Sequence, residues 1–108
     1  MNEDEVATAL GALAHPLRLK VFRALVVNGS AGLTPGVIQE AIEIPASTLS
    51  FHLKELVSAG LVSVERASRS LIYRADHERM SGVLAFLTAN CCGGEPCAVE
   101  PASAACGC

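Results

Sequence analysis

The sequence predicts a single, mainly α-helical domain with one β-hairpin inserted before its last helix. Apolar residues recur at helical spacing in five segments between residues 4 and 90. Two short segments rich in β-branched and aromatic residues lie between the fourth and the fifth of these, separated by a polar turn. The length of 108 residues and the 51% apolar content fit one compact core and leave little room for a second.

A proline separates the first two predicted helices. The first covers residues 4–14 and has acidic side chains in its first turn, where they complement the helix dipole. Pro16 suits the first turn of a second helix, which runs to about Asn28 and ends at the Asn28-Gly29 pair. The expected apolar stripes are Val6, Ala9, Leu10, Leu13 and Ala14 in the first helix and Leu17, Val21, Phe22, Leu25 and Val26 in the second.

The third and fourth predicted helices are joined by a short turn. Thr34 and Pro35 resemble the cap and first-turn proline of a short helix that continues through Ala41. Pro45 starts the fourth helix, and Gly60 is placed to end it. The apolar stripe of the fourth helix is Leu49, Leu53, Leu56 and Val57, and the polar residues expected to point elsewhere are Ser47, Thr48, Ser50, His52 and Lys54.

The C-terminal part of the chain predicts a hairpin, a last helix and a tail. Residues 61–65 and 71–75 predict two strands, and residues 66–70 form a polar turn with a basic tip. Asp76 can cap a final helix that ends near Asn90. Beyond it, the composition cannot bury enough apolar surface to offset the entropy of ordering. We expect a folded domain at residues 1–90 and a flexible cysteine-rich tail at residues 91–108.

Two helices joined by a short turn and followed by a hairpin describe a winged helix-turn-helix, in the order α-α-α-α-β-β-α. The second helix of such a pair can enter the major groove of double-stranded DNA. The expected DNA-contacting residues are Ser47, Thr48, Ser50, His52 and Lys54 on the fourth helix and Arg66, Arg69 and Arg74 on the hairpin. The alternative is that Ser47 only caps its helix and the arginines form a solvated face.

The charge distribution is compatible with a nucleic-acid partner. The net charge of -3 argues against one at first, because phosphate contacts need Lys and Arg. However, residues 15–74 hold seven of the eight Lys and Arg residues and only four of the eleven Asp and Glu residues. This central segment is therefore positive, and the acidic residues lie mainly towards the two ends.

Three segments carry a resemblance to a known family: ALAHPLRL at residues 12–19, SFHLKEL at residues 50–56 and AGLV at residues 59–62. In type and order they resemble the ArsR/SmtB family of metal-responsive repressors, over about residues 6–90. The resemblance implies a winged-helix fold, a homodimer packed through the first and last helices, and release of DNA when an inducer binds. Apolar stripes on both terminal helices support a dimer independently, although they could also complete a monomer core.

All five cysteines lie in the last eighteen residues, at Cys91, Cys92, Cys97, Cys106 and Cys108. The cysteine pair that many arsenic-sensing relatives carry before the reading helix is absent from residues 37–41, and the zinc site on the last helix of other members is also absent. Cys91, Cys92 and Cys97 resemble instead an arsenic-repressor subgroup whose three cysteines follow the last helix.

Three thiolates without a nearby histidine suit a soft centre such as trivalent arsenic or antimony. Zinc, cadmium or lead would gain a fourth ligand from Cys106 or Cys108, and redox chemistry of the thiols is a further alternative. The sequence thus predicts an arsenite-responsive repressor. It contains no pattern typical of an enzyme, of an organic cofactor site or of a membrane span, and its acidic N-terminus predicts a cytoplasmic protein.

Overall fold

The computed structural model describes residues 1–90 and Gly93. Within these residues the chain forms five α-helices and one antiparallel hairpin in the predicted order. The elements are α1 (Glu3–Leu13), α2 (Pro16–Asn28), one turn of 3₁₀ helix (Gly29–Ala31), α3 (Pro35–Ile42), α4 (Ala46–Ser58), β1 (Val62–Ala67), β2 (Ser70–Ala75) and α5 (His77–Thr88). The predicted mainly α-helical winged helix-turn-helix is confirmed.

Side-chain caps fix the starts of three helices. Asn2 Oδ1 accepts a hydrogen bond from the Glu5 amide at 2.9 Å, at the start of α1. His15 Nδ1 accepts one from the amide of Leu17 at 3.2 Å, and Pro16 occupies the first turn of α2. Asp76 Oδ1 accepts from the amide of Arg79 at 3.0 Å, as predicted for the cap of α5.

The core lies where α2 meets α1, α3, α4 and the second strand. The predicted stripes of α2 and α4 form its centre, and large side chains there are almost fully buried. The largest of them are Val21, Leu25, Ile38, Leu49, Leu53, Leu56 and Leu61. Within the residues that the structure describes, no helix is long and apolar enough to cross a bilayer.

The hairpin, called the wing below, has a shorter turn than predicted. The register pairs Val62 with Ala75 and Ala67 with Ser70, which leaves a two-residue loop. The expectation of a five-residue turn at residues 66–70 is therefore wrong. Ser68 closes the loop with a left-handed φ of 60°, a conformation common in two-residue hairpin loops but usually signalled in a sequence by Gly or Asn.

The wing is attached to the segment that precedes α3. Leu33 and Tyr73 exchange two backbone hydrogen bonds, of 2.9 and 2.8 Å, so Leu33 forms an isolated antiparallel bridge with the second strand. Asp76 donates its amide to the carbonyl of Leu61 at 2.8 Å and closes the base of the wing. These contacts hold the wing in place relative to α3 and α4.

Candidate nucleic-acid interface

The turn between α3 and α4 sets the direction of α4. Glu43 ends α3 in a left-handed conformation with φ 58°, and Ile44 then turns into the core with 9% exposure. Pro45 precedes the first residue of α4 with an extended backbone. Because Ile38 and Ile44 are both buried, the two helices pack against the same core and form a helix-turn-helix.

One side of α4 packs on the core, and the opposite side faces solvent. Positions 47, 51, 54 and 58 follow helical spacing and share the face opposite the buried leucines. Ser47, Ser50 and Lys54 are exposed as predicted, and Thr48 is half-buried. This exposed face, called the recognition face below, presents hydroxyl and ammonium groups that can donate to base edges and phosphates.

His52 does not lie on the recognition face. Its side chain is only 5% exposed, so the expectation that it points away from the core towards DNA is wrong. Its ring packs 4.7 Å from the ring of His15, centre to centre, and its Nδ1 accepts a hydrogen bond from Arg18 Nε at 3.3 Å. Position 52 falls next to the buried stripe of α4, and a histidine with an arginine donor can be accommodated there.

The surroundings of His52 favour its neutral form. Burial lowers the pKa of His52 below its ordinary value of 6.5, and the neighbouring His15 and Arg18 lower this pKa further. The guanidinium of Arg18 also donates from a terminal nitrogen to the carbonyl of Ala12 at 3.3 Å. His52 and Arg18 thus connect α4 to the ends of α1 and α2.

The wing carries three arginines in two different situations. Arg66 and Arg69 are exposed, and within the residues that the structure describes neither forms an ion pair. Arg66 shares its side of the hairpin with Val64 and Tyr73, which line a shallow groove against α4. Arg69 lies in the loop at the tip. Arg66 therefore extends from the side of the hairpin that packs against α4, and Arg69 extends from the tip.

Arg74 has protein partners instead. Its Nε donates to the carbonyl of Ser30 at 2.8 Å, and a terminal nitrogen donates to Glu65 at 2.9 Å. These bonds link the second strand to the first and to the 3₁₀ turn. The structure therefore gives Arg74 a bracing role in the wing, which the sequence alone does not distinguish from the role of the phosphate-contacting arginines.

Comparisons with known proteins agree with this geometry. A family model described as a helix-turn-helix domain matches residues 13–65. The biofilm growth-associated repressor of Agrobacterium fabrum is 31% identical over 91 residues, which cover 84% of this chain and 75% of that protein. The repressor SmtB of Mycobacterium tuberculosis is 36% identical over 75 residues, which cover 68% of this chain and 53% of SmtB. The crystal structure of the transcriptional repressor BigR from Xylella fastidiosa matches with a TM-score of 0.63 and 32% identity, covering 82% of this chain and 88% of BigR.

The chain belongs to the ArsR/SmtB family of winged-helix transcriptional regulators. Its relatives are helix-turn-helix transcriptional regulators and repressors, which confirms the prediction that the chain is not an enzyme. For an ArsR/SmtB regulator, α4 is the helix expected to enter the major groove and the wing is expected to lie along the backbone beside it.

The predicted cysteine site lies outside the described residues. Cys91, Cys92 and Cys97, and the additional candidates Cys106 and Cys108, all fall there. Among residues 1–90, no group of three or more His, Cys, Asp and Glu side chains is arranged to hold a metal ion. His15, His52 and His77 thus belong to no such group.

The sequence interpretation missed Phe51. This residue is 55% exposed and falls on the recognition face between Ser47 and Lys54. Helical spacing from Ser47 through position 51 to Lys54 is the signal that could have identified it. Residue type alone does not point to Phe51, because an aromatic residue is normally expected in the core.

Proposed function

We propose that this chain is a transcriptional repressor that binds operator DNA as a homodimer and releases it when arsenite or antimonite binds to its cysteines. The position of the wing is the observation that best supports the DNA-binding part of this proposal. One side of the wing packs against α4, whose recognition face bears Ser47 and Lys54, and the wing carries exposed Arg66 on that side and exposed Arg69 at its tip. A polar helix face flanked by exposed cations matches the edge of a major groove bordered by phosphates.

The arrangement of α1 and α5 supports the dimer. The two helices lie side by side, and Arg79 forms an ion pair with Glu5 at 3.0 Å between them. Leu10, Leu84 and Leu87 nevertheless remain exposed by 41%, 42% and 54%. A second copy would cover these leucines and would bring a second recognition helix to the DNA, so that a two-fold operator could be read.

DNA binding can be tested by fluorescence anisotropy on a duplex from the chain's own promoter region. The affinity should fall steeply as the salt concentration rises, because phosphate contacts release counterions. Lys54→Ala should weaken binding, whereas Lys20→Ala, on the exposed side of α2, should not. Binding that is insensitive to both salt and Lys54→Ala would refute the proposed interface.

The inducer site rests on the cysteines that follow α5. Cys91 comes three residues after Thr88, the last residue of α5, and Cys92 and Cys97 follow within six more residues. Because α5 also carries the exposed leucines, an ion bound at its end can favour a dimer shape that fits DNA poorly. A coupling free energy of about 1–3 kcal/mol between the two sites is typical of allosteric proteins.

Cys106 and Cys108 support a second candidate. With either as a fourth thiolate, the site would suit zinc, cadmium or lead instead of arsenic. Counting bound ions on the reduced protein separates the two proposals. We expect one arsenite per subunit in the wild type and in Cys106→Ser/Cys108→Ser, and none in variants with serine at Cys91, Cys92 or Cys97. Tight zinc binding that requires Cys106 or Cys108, without arsenite binding, would favour the second candidate.

A further inference from the structure

Phe51 is the only large apolar side chain of α4 that the structure leaves exposed. It lies at the middle of the recognition face, about one helical turn from Ser47 on one side and from Lys54 on the other. The exposed leucines assigned to the dimer face lie on α1 and α5 and not on α4. A single aromatic ring surrounded by polar groups is a poor match for the core of a protein interface, which is mainly apolar.

Two neighbours support the ring from its protein side. The guanidinium carbon of Arg18 lies 5.8 Å from the centre of the Phe51 ring, within the range of a cation–π contact. The ring of His52 meets it edge-on at 5.6 Å between centres. Arg18 is itself bound to His52 and to the carbonyl of Ala12, so these contacts favour one orientation of the exposed ring.

The major groove is polar except at one kind of group, the C5 methyl of thymine, and phenylalanine is one of the side chains that contact it. We propose that Phe51 is a specificity-determining residue that contacts a thymine methyl in each half-site. This proposal rests on the proposed DNA-binding function. Arg18 is the positioning residue for Phe51: it does not touch the base but holds the ring that does. Ser47 and Lys54, one turn to either side, supply the polar contacts around it.

Replacing thymine by deoxyuridine tests the contact, because the exchange removes the methyl group and keeps every hydrogen-bonding group. A tight-binding duplex is first selected from a randomised library with the full-length reduced protein, and each thymine is then replaced in turn. At one symmetric pair of positions, removing one methyl group should weaken wild-type binding about fourfold, the value expected for losing the burial of one methyl-sized group. Removing both methyl groups of the pair should weaken binding about fifteenfold.

The variants assign this effect to the ring. Phe51→Ala should bind the thymine and deoxyuridine duplexes equally well, while Phe51→Leu should retain part of the preference. Val27→Ala removes an exposed apolar side chain of α2, which is 72% exposed, and should discriminate like the wild type. Because Phe51 is outside the core, Phe51→Ala should unfold at the same temperature as the wild type.

Arg18→Lys keeps the charge but removes the planar group that spans His52 and the ring. It should reduce the preference for thymine without changing the salt dependence, which a purely structural or phosphate-binding role would not produce. A wild type that binds DNA but is indifferent to every thymine exchange would overturn the role of Phe51 alone, as would Phe51→Ala with full discrimination. A wild type that binds no duplex in a salt-dependent way would overturn the proposed function as well.

Discussion

Arg18 donates a hydrogen bond from Nε to Nδ1 of His52 across 3.3 Å, and this contact joins the first turn of α2 to the middle of α4. Nδ1 can accept only while it carries no proton, so the contact requires neutral His52. Burial, and then the nearby His15 and Arg18, lower the pKa of His52 in the same direction. The hydrogen bond between α2 and α4 thus requires an uncharged histidine.

This dependence predicts a decrease in stability in mild acid. The unfolded chain takes up a proton on His52 at the ordinary pKa of 6.5, whereas the folded chain resists protonation until a lower pH. The free energy of unfolding should therefore be insensitive to His52 above that pKa and should fall as the pH decreases below it. Urea unfolding between pH about 7.5 and about 5 measures this effect.

The variant that tests this assignment is His52→Gln. His52→Gln removes the titrating group, so its stability should decline less than that of the wild type over the same pH interval. Equal declines in His52→Gln and the wild type would show that His52 does not carry the pH dependence.

We expect position 32 to tolerate no side chain beyond that of glycine. Its φ is 79°, and a Cβ there would meet the side chain of Ile72 and lie 3.1 Å from the carbonyl oxygen of Tyr73. Gly32→Ala should cost about 1–3 kcal/mol of unfolding free energy, because it combines backbone strain with a clash. Gly36→Ala, in α3 with open space around it, should be neutral or stabilising by about 0.5 kcal/mol. Equal effects of the two substitutions in urea unfolding would contradict the close approach of Gly32 to the wing.

The different partners of the wing arginines predict different salt dependences. Arg66→Ala and Arg69→Ala should each make the negative slope of log affinity against log salt less steep. The change should be about 1 for each phosphate that is no longer neutralised, hence about 2 in a dimer. Arg74→Ala should destabilise the wing but leave the slope nearly unchanged, because Arg74 is bound to Ser30 and Glu65. Anisotropy titrations at several salt concentrations give the slopes. A larger change for Arg74→Ala than for the other two would reverse the assignment.

The exposed leucines predict how the dimer can be broken. Leu84→Glu or Leu87→Glu places a carboxylate on the face of α5 that a second copy would cover, so each should give a monomer in sedimentation equilibrium. Val27→Glu changes an even more exposed apolar residue on α2 and should remain dimeric. If both α5 variants sediment as the wild-type dimer does, the subunits associate through another surface.

The elements of the fold could be predicted from the sequence because local signals and the apolar pattern agree. Pro16, Asp76 and the periodic leucines of α4 all mark boundaries or buried faces that the structure confirms. The predicted turn of the wing is wrong because Ser68 adopts a left-handed conformation that its residue type does not announce. Local sequence rules predict the backbone conformation correctly wherever the conformational preference of a residue type determines it.

The interface is harder to predict because tertiary partners decide what each side chain can do. His52 and Arg74 are polar residue types that suggest a surface role, yet Arg18 binds one and Glu65 binds the other. Phe51 shows the reverse, since an apolar residue type lies exposed on the recognition face. Helical spacing along α4 therefore identifies the residues of the recognition face better than the polarity of each residue type does.

Release of DNA by arsenite tests the central proposal most directly. The reduced protein is bound to its labelled promoter duplex, and the anisotropy is followed while arsenite is added. The wild type and Cys106→Ser/Cys108→Ser should leave the DNA at about one arsenite per subunit. Variants with serine at Cys91, Cys92 or Cys97 should bind the duplex as tightly as the wild type and stay bound. Release of DNA from those variants, or a wild-type complex that zinc or cadmium dissociates and arsenite and antimonite do not, would contradict the proposed arsenic sensor.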